Sequence, residues 1–368
     1  MYQILKLNKI SAVIDNVFGE NYNVNDDAQN PDGIILRSFN MANYKTGDKL
    51  LAVARAGAGV NNIPVPEMTE KGIVVFNTPG ANANAVKELV ICAMLLASRD
   101  IVGGINWANT LTDDVEKATE KGKRAFGGSE ILGKTVGVIG LGAIGALVAN
   151  ACVALGMKVI GYDKFLCEQS KAKLDSAVQI VTLEQIYKNS DIITMHVPLC
   201  DSTKKMINKD TLAQMKEGVI LINMSRGALV DTDELKVAID SGKVGKYVVD
   251  FPSKDILNCR NIIAVPHLGA STKEAEDNCA VMASSQLVDY LENGNILNSV
   301  NFPEINKEWN AKHRTVILFK QGCNILDQVD GDIKIAQNKG LGVAIIDTDS
   351  LLDLPLCDGV LRIRHLEK

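Results

Sequence analysis

The chain has 368 residues, of which 46% are hydrophobic and 23% charged, and its net charge is −5. These proportions exclude a disordered chain and leave room for a large core. The acidic balance argues against binding of nucleic acid or another polyanion. The eight cysteines lack the C-x-x-C spacing of a metal site, which predicts reduced thiols in a cytoplasmic protein and no bound metal. The N-terminus has no signal-peptide pattern.

In chain order, short runs rich in Val and Ile alternate with helical patterns. Runs without polar alternation are typical of parallel strands that are covered on both faces. The predicted strands are Gly33–Leu36, Leu51–Ala54, Gly72–Phe76, Thr135–Ile139, Lys158–Tyr162, Ile192–Val197, Gly218–Asn223, Lys246–Val249 and Ile262–Val265. Between them, Thr182–Gln185 and Ser271–Glu274 have the sequence of a helix capping box. This alternation predicts a doubly wound α/β fold.

One uncharged stretch, from Val136 to Met157, is long enough to cross a bilayer. Three glycines cluster in it, and each glycine inside a helix costs up to about 1 kcal/mol. A buried strand, a glycine turn and a buried helix explain the stretch better. We therefore expect no membrane span.

The residues after position 303 form a different kind of unit. A polar linker over residues 304–312 leads to predicted strands at Thr315–Phe319, Gly342–Asp347 and Val360–His365. This predicts a small α+β appendage. A unit of that size is marginally stable unless it docks or pairs with another surface.

A G-x-G-x-x-G motif is formed by Gly140, Gly142 and Gly145. A strand precedes it, an apolar helix follows, and a second strand ends at Asp163. The glycines permit a tight turn, backbone approach to a pyrophosphate and close packing of helix on strand, while the helix N-terminus offers N–H groups to phosphates. A carboxylate at Asp163 accepts hydrogen bonds from a ribose and repels a 2′-phosphate. The predicted cofactor is therefore NAD rather than NADP.

Two side chains that follow strands are candidates for catalysis. His267 comes after the strand Ile262–Val265 and Arg226 after Gly218–Asn223, and open α/β sheets bind ligands at the carboxyl ends of their strands. Histidine exchanges a proton near neutral pH, and arginine offers a planar fork of donors to a carboxylate. Taken singly, each residue is also compatible with a structural role. His196, at the end of a buried strand, is likewise compatible with a catalytic or a structural role.

Together these motifs resemble the D-isomer specific 2-hydroxyacid dehydrogenase family, from about residue 30 to the C-terminus. The segments that match in order and separation are Gly140–Gly145 with Asp163, His196–Leu199, Asn223–Gly227, Asp250 and Pro266–Ala270. Three further segments, Arg55–Ile63, Asn77–Asn82 and Ser299–Pro303, look like the phosphoglycerate dehydrogenases within that family.

The resemblance implies an architecture of two doubly wound parallel-sheet lobes. Residues 98–268 would form a Rossmann NAD-binding lobe, and residues 1–97 and 269–303 a discontinuous, flavodoxin-like substrate lobe. Residues 313–368 look like a shortened, degenerate ACT domain. A homodimer is expected from the family.

The resemblance also implies roles for individual residues. Arg226 would orient the substrate carboxylate, and His267 would take the hydroxyl proton as hydride passes to the nicotinamide. The implied cofactor contacts are Gly140, Gly142, Ala143, Ile144, Gly145, Asp163, Met224, Ser225, Asp250 and Gly269. The family places a glutamate beside the histidine. Here ungapped counting puts Asp255 at that place, whereas matching the Phe-Pro pair puts Lys254 there, and both alternatives stay open.

The implied substrate is a small phosphorylated 2-hydroxy acid. The residues proposed to bind it are Arg37, Ser38, Arg55, Lys123 and Arg124, each of which could equally be an ordinary surface residue. The reaction would be NAD-dependent oxidation of 3-phospho-D-glycerate to 3-phosphooxypyruvate, the first step of L-serine biosynthesis. Alternatives are the same chemistry on D-glycerate, hydroxypyruvate or D-lactate, and a non-catalytic NAD-sensing protein built on this fold.

Overall fold

The computed structural model describes residues 1–338, 340–355 and 357–368. The chain divides into two compact units. Unit 1 comprises Met1–Asn82 and Lys273–Lys368, and unit 2 comprises Ala83–Thr272. The residues predicted as an ACT-like tail are thus part of unit 1, and the helix before residue 98 is part of unit 2. The division into three functional domains stays a prediction.

The secondary structure alternates as predicted over most of the chain. The strands are β1 (Tyr2–Leu7), β2 (Tyr22–Asn25), β3 (Gly33–Leu36), β4 (Ala52–Arg55), β5 (Val74–Phe76), β6 (Thr135–Ile139), β7 (Lys158–Tyr162), β8 (Gln179–Ile180), β9 (Ile192–Met195), β10 (Val219–Asn223), β11 (Val244–Val249), β12 (Ile262–Ala264), β13 (His313–Lys320), β14 (Asp332–Asn338), β15 (Leu341–Thr348) and β16 (Val360–Glu367). The α-helices are α1 (Val65–Glu70), α2 (Ala83–Ser98), α3 (Ile101–Ala108), α4 (Val115–Gly122), α5 (Ala143–Ala154), α6 (Glu168–Lys171), α7 (Leu183–Asn189), α8 (Lys209–Gln214), α9 (Thr232–Asp240) and α10 (Lys273–Asn293). Short three-ten helices cover Ala12–Asn16, Lys123–Phe126, Gly227–Leu229 and Ile325–Gln328.

Unit 2 is built on a parallel sheet in the order β12-β11-β10-β9-β6-β7-β8. The strand order reverses between β6 and β9, which makes this the switch point where open α/β sheets bind ligands. The central strands are buried along their length, with helices packed on both faces. This is the predicted Rossmann arrangement. The capping box at Thr182 is confirmed, because its hydroxyl and the Gln185 side chain each accept the other residue's backbone N–H.

Unit 1 contains a parallel sheet in the order β2-β1-β3-β4-β5. This is the flavodoxin-like order, so the predicted fold class of two doubly wound sheets is confirmed. Strands β1 and β2 were not predicted. In β1, Gln3 and Lys6 flank the apolar pair of Ile4 and Leu5, and β2 is a polar edge strand whose pairing with β1 starts at Tyr2 and Tyr22. Neither segment has the continuous apolar run that marks the central strands.

The tail of unit 1 is an antiparallel sheet in the order β14-β15-β13-β16. It has no α-helix among its described residues, although an α+β unit was expected, and its edge strand β14 was not predicted. The missing helix agrees with the short connection after β13, where a three-ten turn at Ile325–Gln328 is the helical element. The polar, exposed pattern of β14 resembles that of a loop, which is why the sequence did not indicate a strand.

The tail sheet is docked within unit 1. Val316 and Leu318 of β13 lie in one buried cluster with Leu287 and Tyr290 of α10. Arg364 of β16 donates to the carbonyl oxygens of Tyr290 and Leu291, both at 3.0 Å. A cation at a helix C-terminus satisfies carbonyls that the helix leaves unpaired and interacts favourably with its dipole. The docked tail therefore closes the end of α10.

In the part of the chain that the structure describes, no helix combines the length and apolar character needed to cross a membrane. The uncharged residues that begin at Val136 form β6, the glycine turn and α5 instead.

Candidate active site

The glycine motif lies at the switch point of unit 2, between the carboxyl end of β6 and the N-terminus of α5. Gly140 has a φ of +92°, and a Cβ there would lie 2.8 Å from the backbone carbonyl of His196. A Cβ on Gly145 would overlap the carbonyl oxygen of Gly140. A Cβ on Gly142, in contrast, would have no neighbour within 4 Å. Two glycines therefore serve packing, and the third leaves open space over the helix N-terminus.

A cavity of about 550 Å³ adjoins this turn. Its lining includes Gly140, Gly142, Asp163, Pro198 and Cys200. The carboxylate of Asp163 accepts hydrogen bonds from the backbone N–H of Leu141 and of Phe165, each at 2.8 Å. Asp163 thus shapes the glycine turn and also presents its carboxylate to the cavity. A carboxylate has about four acceptor positions, so two remain for a ligand.

His196 fits a structural role. Its Nε2 lies 3.0 Å from the hydroxyl of Thr194, and its Nδ1 is buried without a hydrogen-bond partner. Burial lowers the pKa of His196 to about 4. The ring is therefore neutral at physiological pH and packs behind the glycine turn.

His267 is held in an unusual backbone conformation at the carboxyl end of β12. Its φ is +54°, a left-handed conformation that costs a residue other than glycine on the order of 1 kcal/mol. Asp250, only 1% exposed at the end of β11, accepts hydrogen bonds from the backbone N–H of Leu268 at 2.6 Å and of Gly269 at 2.8 Å. Burial raises the pKa of Asp250, against the lowering effect of these two bonds. The Asp250 carboxylate thus fixes the loop that presents His267.

Phe251 brings the two catalytic candidates together. Its ring centroid lies 4.8 Å from that of His267, and the Arg226 guanidinium lies over the same ring at 5.6 Å. The Arg226 side chain donates one hydrogen bond, from Nη1 to the carbonyl of Ser225 at 2.6 Å. His267 is exposed and Arg226 half-buried, so both are accessible to a ligand. The arrangement presents a proton acceptor and an anion-binding fork that both lie close to one aromatic ring.

Neither candidate for an acidic or basic partner of His267 forms an ion pair or a hydrogen bond with it among the described residues. Among the ion pairs and hydrogen bonds that the described residues form, none joins His267 to Asp255 or Lys254. Both residues are exposed, and Asp255 lines a cavity of about 490 Å³ together with Asp231 and Phe251. The ring of Phe251 lies against His267 instead. A partnership of Asp255 or Lys254 with the histidine stays a prediction without a contact to support it.

The remaining cofactor candidates of unit 2 lie at the ends of the same strands. Met224 is buried directly after β10, and the Ser225 hydroxyl donates to the carbonyl of Met195 at 2.8 Å. This bond ties the loop after β10 to the end of β9. Ala143 and Ile144 form the first turn of α5, where backbone N–H groups have no partner within the helix.

The proposed substrate residues fall into two groups, one in each unit. In unit 1, the Nε of Arg55 donates to the carbonyl of Arg37 at 3.1 Å, and Arg37 pairs with Glu276 of α10 at 2.5 Å, while Ser38 beside it is exposed. In unit 2, Lys123 pairs with Glu120 on α4, and Arg124 is exposed on the turn that follows. Their roles as substrate ligands stay predictions.

Comparison with known proteins identifies the family. Residues 92–269 match the sequence model of the NAD binding domain of D-isomer specific 2-hydroxyacid dehydrogenases. The chain is 42% identical to the hydroxypyruvate reductase of Thermotoga maritima over 241 residues. These aligned residues cover 63% of this chain and 74% of that protein. The chain belongs to the D-isomer specific 2-hydroxyacid dehydrogenase family. Unit 2 therefore contains the NAD-binding domain of an enzyme of this family, with NAD as its cofactor.

Other family members are similar over more of the chain. The D-3-phosphoglycerate dehydrogenase of Synechocystis sp. is 35% identical over 295 residues, which cover 77% of this chain and 51% of that protein. The chain thus spans about half the length of that relative. The solved cofactor(NAD+) bound 3-phosphoglycerate dehydrogenase of Entamoeba histolytica matches with a TM-score of 0.66 and 25% identity, over 82% of this chain and 98% of that one.

Sequence reasoning missed Phe251. The signal was present, because an aromatic residue directly follows Asp250 at a strand end. Nothing local, however, indicates that the ring of Phe251 turns towards the loops after β10 and β12. In this dehydrogenase-family chain that ring is the element that links Arg226 to His267.

Proposed function

We propose that this protein oxidises 3-phospho-D-glycerate to 3-phosphooxypyruvate with NAD, the first step of L-serine biosynthesis. The observation that carries the proposal is the placement of Arg226 and His267 about one ring, that of Phe251, in the NAD-binding unit. A non-catalytic NAD sensor would have no need for an accessible base and an accessible guanidinium so arranged.

The residues of the switch point fit the cofactor. The open space over Gly142 and the free N–H groups of the α5 N-terminus suit a pyrophosphate, and the Asp163 carboxylate suits a ribose hydroxyl. The residues proposed to hold NAD are Gly140, Gly142, Ala143, Ile144, Gly145, Asp163, Met224, Ser225, Asp250 and Gly269. When bound, NAD supplies the hydride acceptor.

The side chains of unit 2 would then bind the substrate, transfer the proton and position the groups that do so. Arg226 binds the substrate carboxylate through its fork of N–H donors, most of which make no hydrogen bond within the described protein. His267 takes the proton of the substrate hydroxyl as the C–H bond breaks, and returns it in the reverse direction. Asp250 keeps the histidine loop in place through the backbone N–H groups of Leu268 and Gly269. Phe251 keeps the imidazole and the guanidinium at a fixed separation.

Two substrates are each favoured by a specific observation. The similarity to phosphoglycerate dehydrogenase and the linked arginines Arg37 and Arg55 of unit 1 favour a phosphorylated acid. The 42% identity to a hydroxypyruvate reductase favours the unphosphorylated hydroxypyruvate and D-glycerate pair. The first is our proposal because the segments 55–63 and 299–303 also resemble phosphoglycerate dehydrogenases, and the second is the alternative.

We also propose that the protein acts as a homodimer. None of the residues of α3 is buried, although the helix is largely apolar, and Ile101, Val102 and Ile105 are each more than a third exposed. The segment from α3 to Phe126 packs chiefly on itself, with Trp107 and Phe126 rings 5.2 Å apart. An exposed apolar helix of this kind is typical of a protein–protein interface, and a second copy of the chain is the proposed partner. The eight free thiols agree with the cytoplasmic setting that we propose.

The deciding experiment measures NADH formation against D-2-hydroxy acids with and without a 3-phosphate. We expect kcat/KM for 3-phospho-D-glycerate to exceed that for D-glycerate by at least 100-fold, because one charge-assisted phosphate site contributes about 3 kcal/mol. Equal values, or faster NADH consumption with hydroxypyruvate, would favour the alternative. If the protein forms no NADH with 3-phospho-D-glycerate or with D-glycerate, the proposal is wrong.

A further inference from the structure

A pair of cysteine thiols lies in the tail, remote in sequence from the residues of the proposed reaction. The sulfur atoms of Cys323 and Cys357 are 3.8 Å apart. Among the cysteines, all of which are described, this is the one pair whose sulfurs approach within 4 Å. Both side chains are partly exposed. A reagent dissolved in the surrounding water can therefore reach them.

The backbone holds the two thiols together. Cys323 follows Gly322 in the turn after β13, and its N–H donates to the carbonyl of Lys320 at 3.2 Å. Cys357 precedes Gly359 in the turn before β16, and its carbonyl accepts from Val360 at 3.0 Å. The two turns are joined directly, because the Lys320 N–H donates to the carbonyl of Gly359 at 2.7 Å. The proximity of the sulfurs thus follows from paired turns.

These turns cover the face of the tail sheet that α10 does not. On that face, Phe319 and Ile346 are buried beneath side chains of the two turns, including Leu326 and Leu354. No α-helix covers it among the described residues, so turns alone exclude water from this half of the tail core. A link between them would hold the cover closed.

We propose that Cys323 and Cys357 are an oxidation site that forms an intramolecular disulfide bond and thereby staples the tail. The sulfurs must approach by about 1.8 Å to reach bonding distance, a shift that the flanking glycines allow. The oxidant is a low-molecular-weight disulfide. One cysteine thiolate attacks it, forms a mixed disulfide and releases one thiol; the second cysteine then displaces the other thiol and forms the Sγ–Sγ bond. The two cysteines lose two electrons and two protons, and the oxidant becomes two thiols.

The test uses the full chain incubated with oxidised glutathione, followed by alkylation of the remaining thiols and peptide mapping by mass spectrometry. The wild type is expected to yield one linked peptide containing Cys323 and Cys357, with neither of these two thiols left to alkylate. The exposed thiols of Cys92, Cys167 and Cys200 can each take up one glutathione without forming such a link. The variants Cys323→Ser and Cys357→Ser should yield no linked peptide. Cys259→Ser, which removes another partly exposed thiol, should yield the same linked peptide as the wild type. Free Cys323 and Cys357 thiols after oxidation, a persistent glutathione adduct on either of them, or a bridge from either one to another cysteine would overturn the proposal.

A second measurement does not depend on the variants folding. A bridge between residues 34 positions apart restricts the unfolded chain, so the oxidised wild type should melt on the order of 5 °C above the reduced wild type. Adding dithiothreitol should reverse the shift. An unchanged melting temperature in a sample whose peptide map shows the bridge would contradict the stapling role and leave the oxidation itself standing.

Discussion

Two arginines of this protein lie over aromatic rings and have opposite surroundings. Arg314 lies 5.0 Å from the ring of Trp309 and Arg226 lies 5.6 Å from that of Phe251. Arg314 is fully buried, and its three nitrogens donate to both carboxylate oxygens of Asp347 and to the carbonyls of Asn293, Lys307 and Glu308. Arg226 is half-buried and donates to one carbonyl, that of Ser225.

The contrast shows how structure distinguishes two roles of one residue type. A guanidinium has five N–H groups, and Arg314 uses every one within the tail of unit 1. Arg226 retains most of its donors at the carboxyl end of β10, where a substrate can reach them. The saturated arginine stabilises the fold, and the unsaturated one is available for a ligand.

The largest effect is expected for Arg226→Lys, because an ammonium group cannot make the two parallel bonds of a guanidinium to a carboxylate. We expect kcat/KM to fall by about 1,000-fold, with the melting temperature and NAD affinity unchanged. Steady-state kinetics, calorimetry and NADH titration measure the three quantities. Arg260→Lys, at an exposed arginine of the same unit, is the matched control. If Arg226→Lys keeps most of its activity, Arg226 has a structural role and does not differ in function from Arg314.

The opposite result is expected for Arg314→Ala. Removing one partner of a buried ion pair costs about 3 to 5 kcal/mol, because Asp347 would stay buried with Lys307 as its remaining cation. Chemical denaturation should show this loss, while kcat per folded molecule stays unchanged. Lys312→Ala, which breaks an exposed pair with Glu367, should cost less than about 1 kcal/mol. Equal losses in the two variants would mean that the Arg314 pair does not stabilise the tail.

The destabilisation by Arg314→Ala should also depend on pH. Burial acts to raise the pKa of Asp347, but hydrogen bonds from Arg314 and Lys307 outweigh it and hold the pKa below its usual value. A carboxyl group whose pKa is lowered by folding stabilises the protein above its unfolded pKa, about 3.9, and loses that contribution as the pH falls through its folded pKa. The difference between wild type and variant should therefore be full at pH 6 and shrink below about pH 4.

A smaller effect is expected for Phe251→Ala, which removes the ring that Arg226 and His267 both approach but no charged or hydrogen-bonding group. We expect kcat to fall on the order of tenfold, with KM changing less, because the loss is one of positioning. Phe251→Tyr keeps the ring and should restore most of the activity. Equal losses in both variants would show that the ring does not position the two groups.

The carboxylates of Asp163 and Asp347 differ in the same way as the two arginines, and Asp163→Ser tests this difference. Asp163 accepts two backbone hydrogen bonds and has acceptor positions left, unlike the enclosed Asp347. The substitution should lower kcat/KM with NAD and relax discrimination against NADP by about tenfold, because the ribose acceptor and the repulsive charge are both lost. The ratio of kcat/KM for the two cofactors is the measurement. If the ratio does not change, Asp163 only shapes the glycine turn.

No effect at all is expected from free L-serine. The sequence predicts that the tail is a degenerate form of the regulatory ACT domain, but it lacks an α-helix among its described residues and the saturated Arg314 has no donors left for a ligand. Millimolar serine should leave the rate of NADH formation unchanged. Inhibition that disappears when residues after Glu304 are deleted would show that the tail is a working sensor.

The local features of this protein could be predicted from its sequence. A strand, a glycine turn and a helix are set by contacts between residues a few positions apart, so Gly140, Gly142, Gly145 and Asp163 could be placed from their spacing alone. Strands β9, β10 and β12 were predictable because nearly all of their residues are apolar. Strands β2 and β14 were not, because an edge strand has one pairing partner and tolerates polar residues on its free side. Strand β1 pairs on both sides, but Gln3 and Lys6 interrupt its apolar residues.

The sequence by itself determined that Arg226 and His267 follow strands of a parallel sheet, and that Asp250 lies between them in the chain. Only the tertiary structure decided that the ring of Phe251 lies against His267, and that Arg314 is buried in the tail while Arg226 is accessible. The physical reason is the range of the interactions. Backbone geometry follows from neighbours in sequence, whereas the direction and burial of a side chain depend on strand order, register and packing against segments that are distant in the chain.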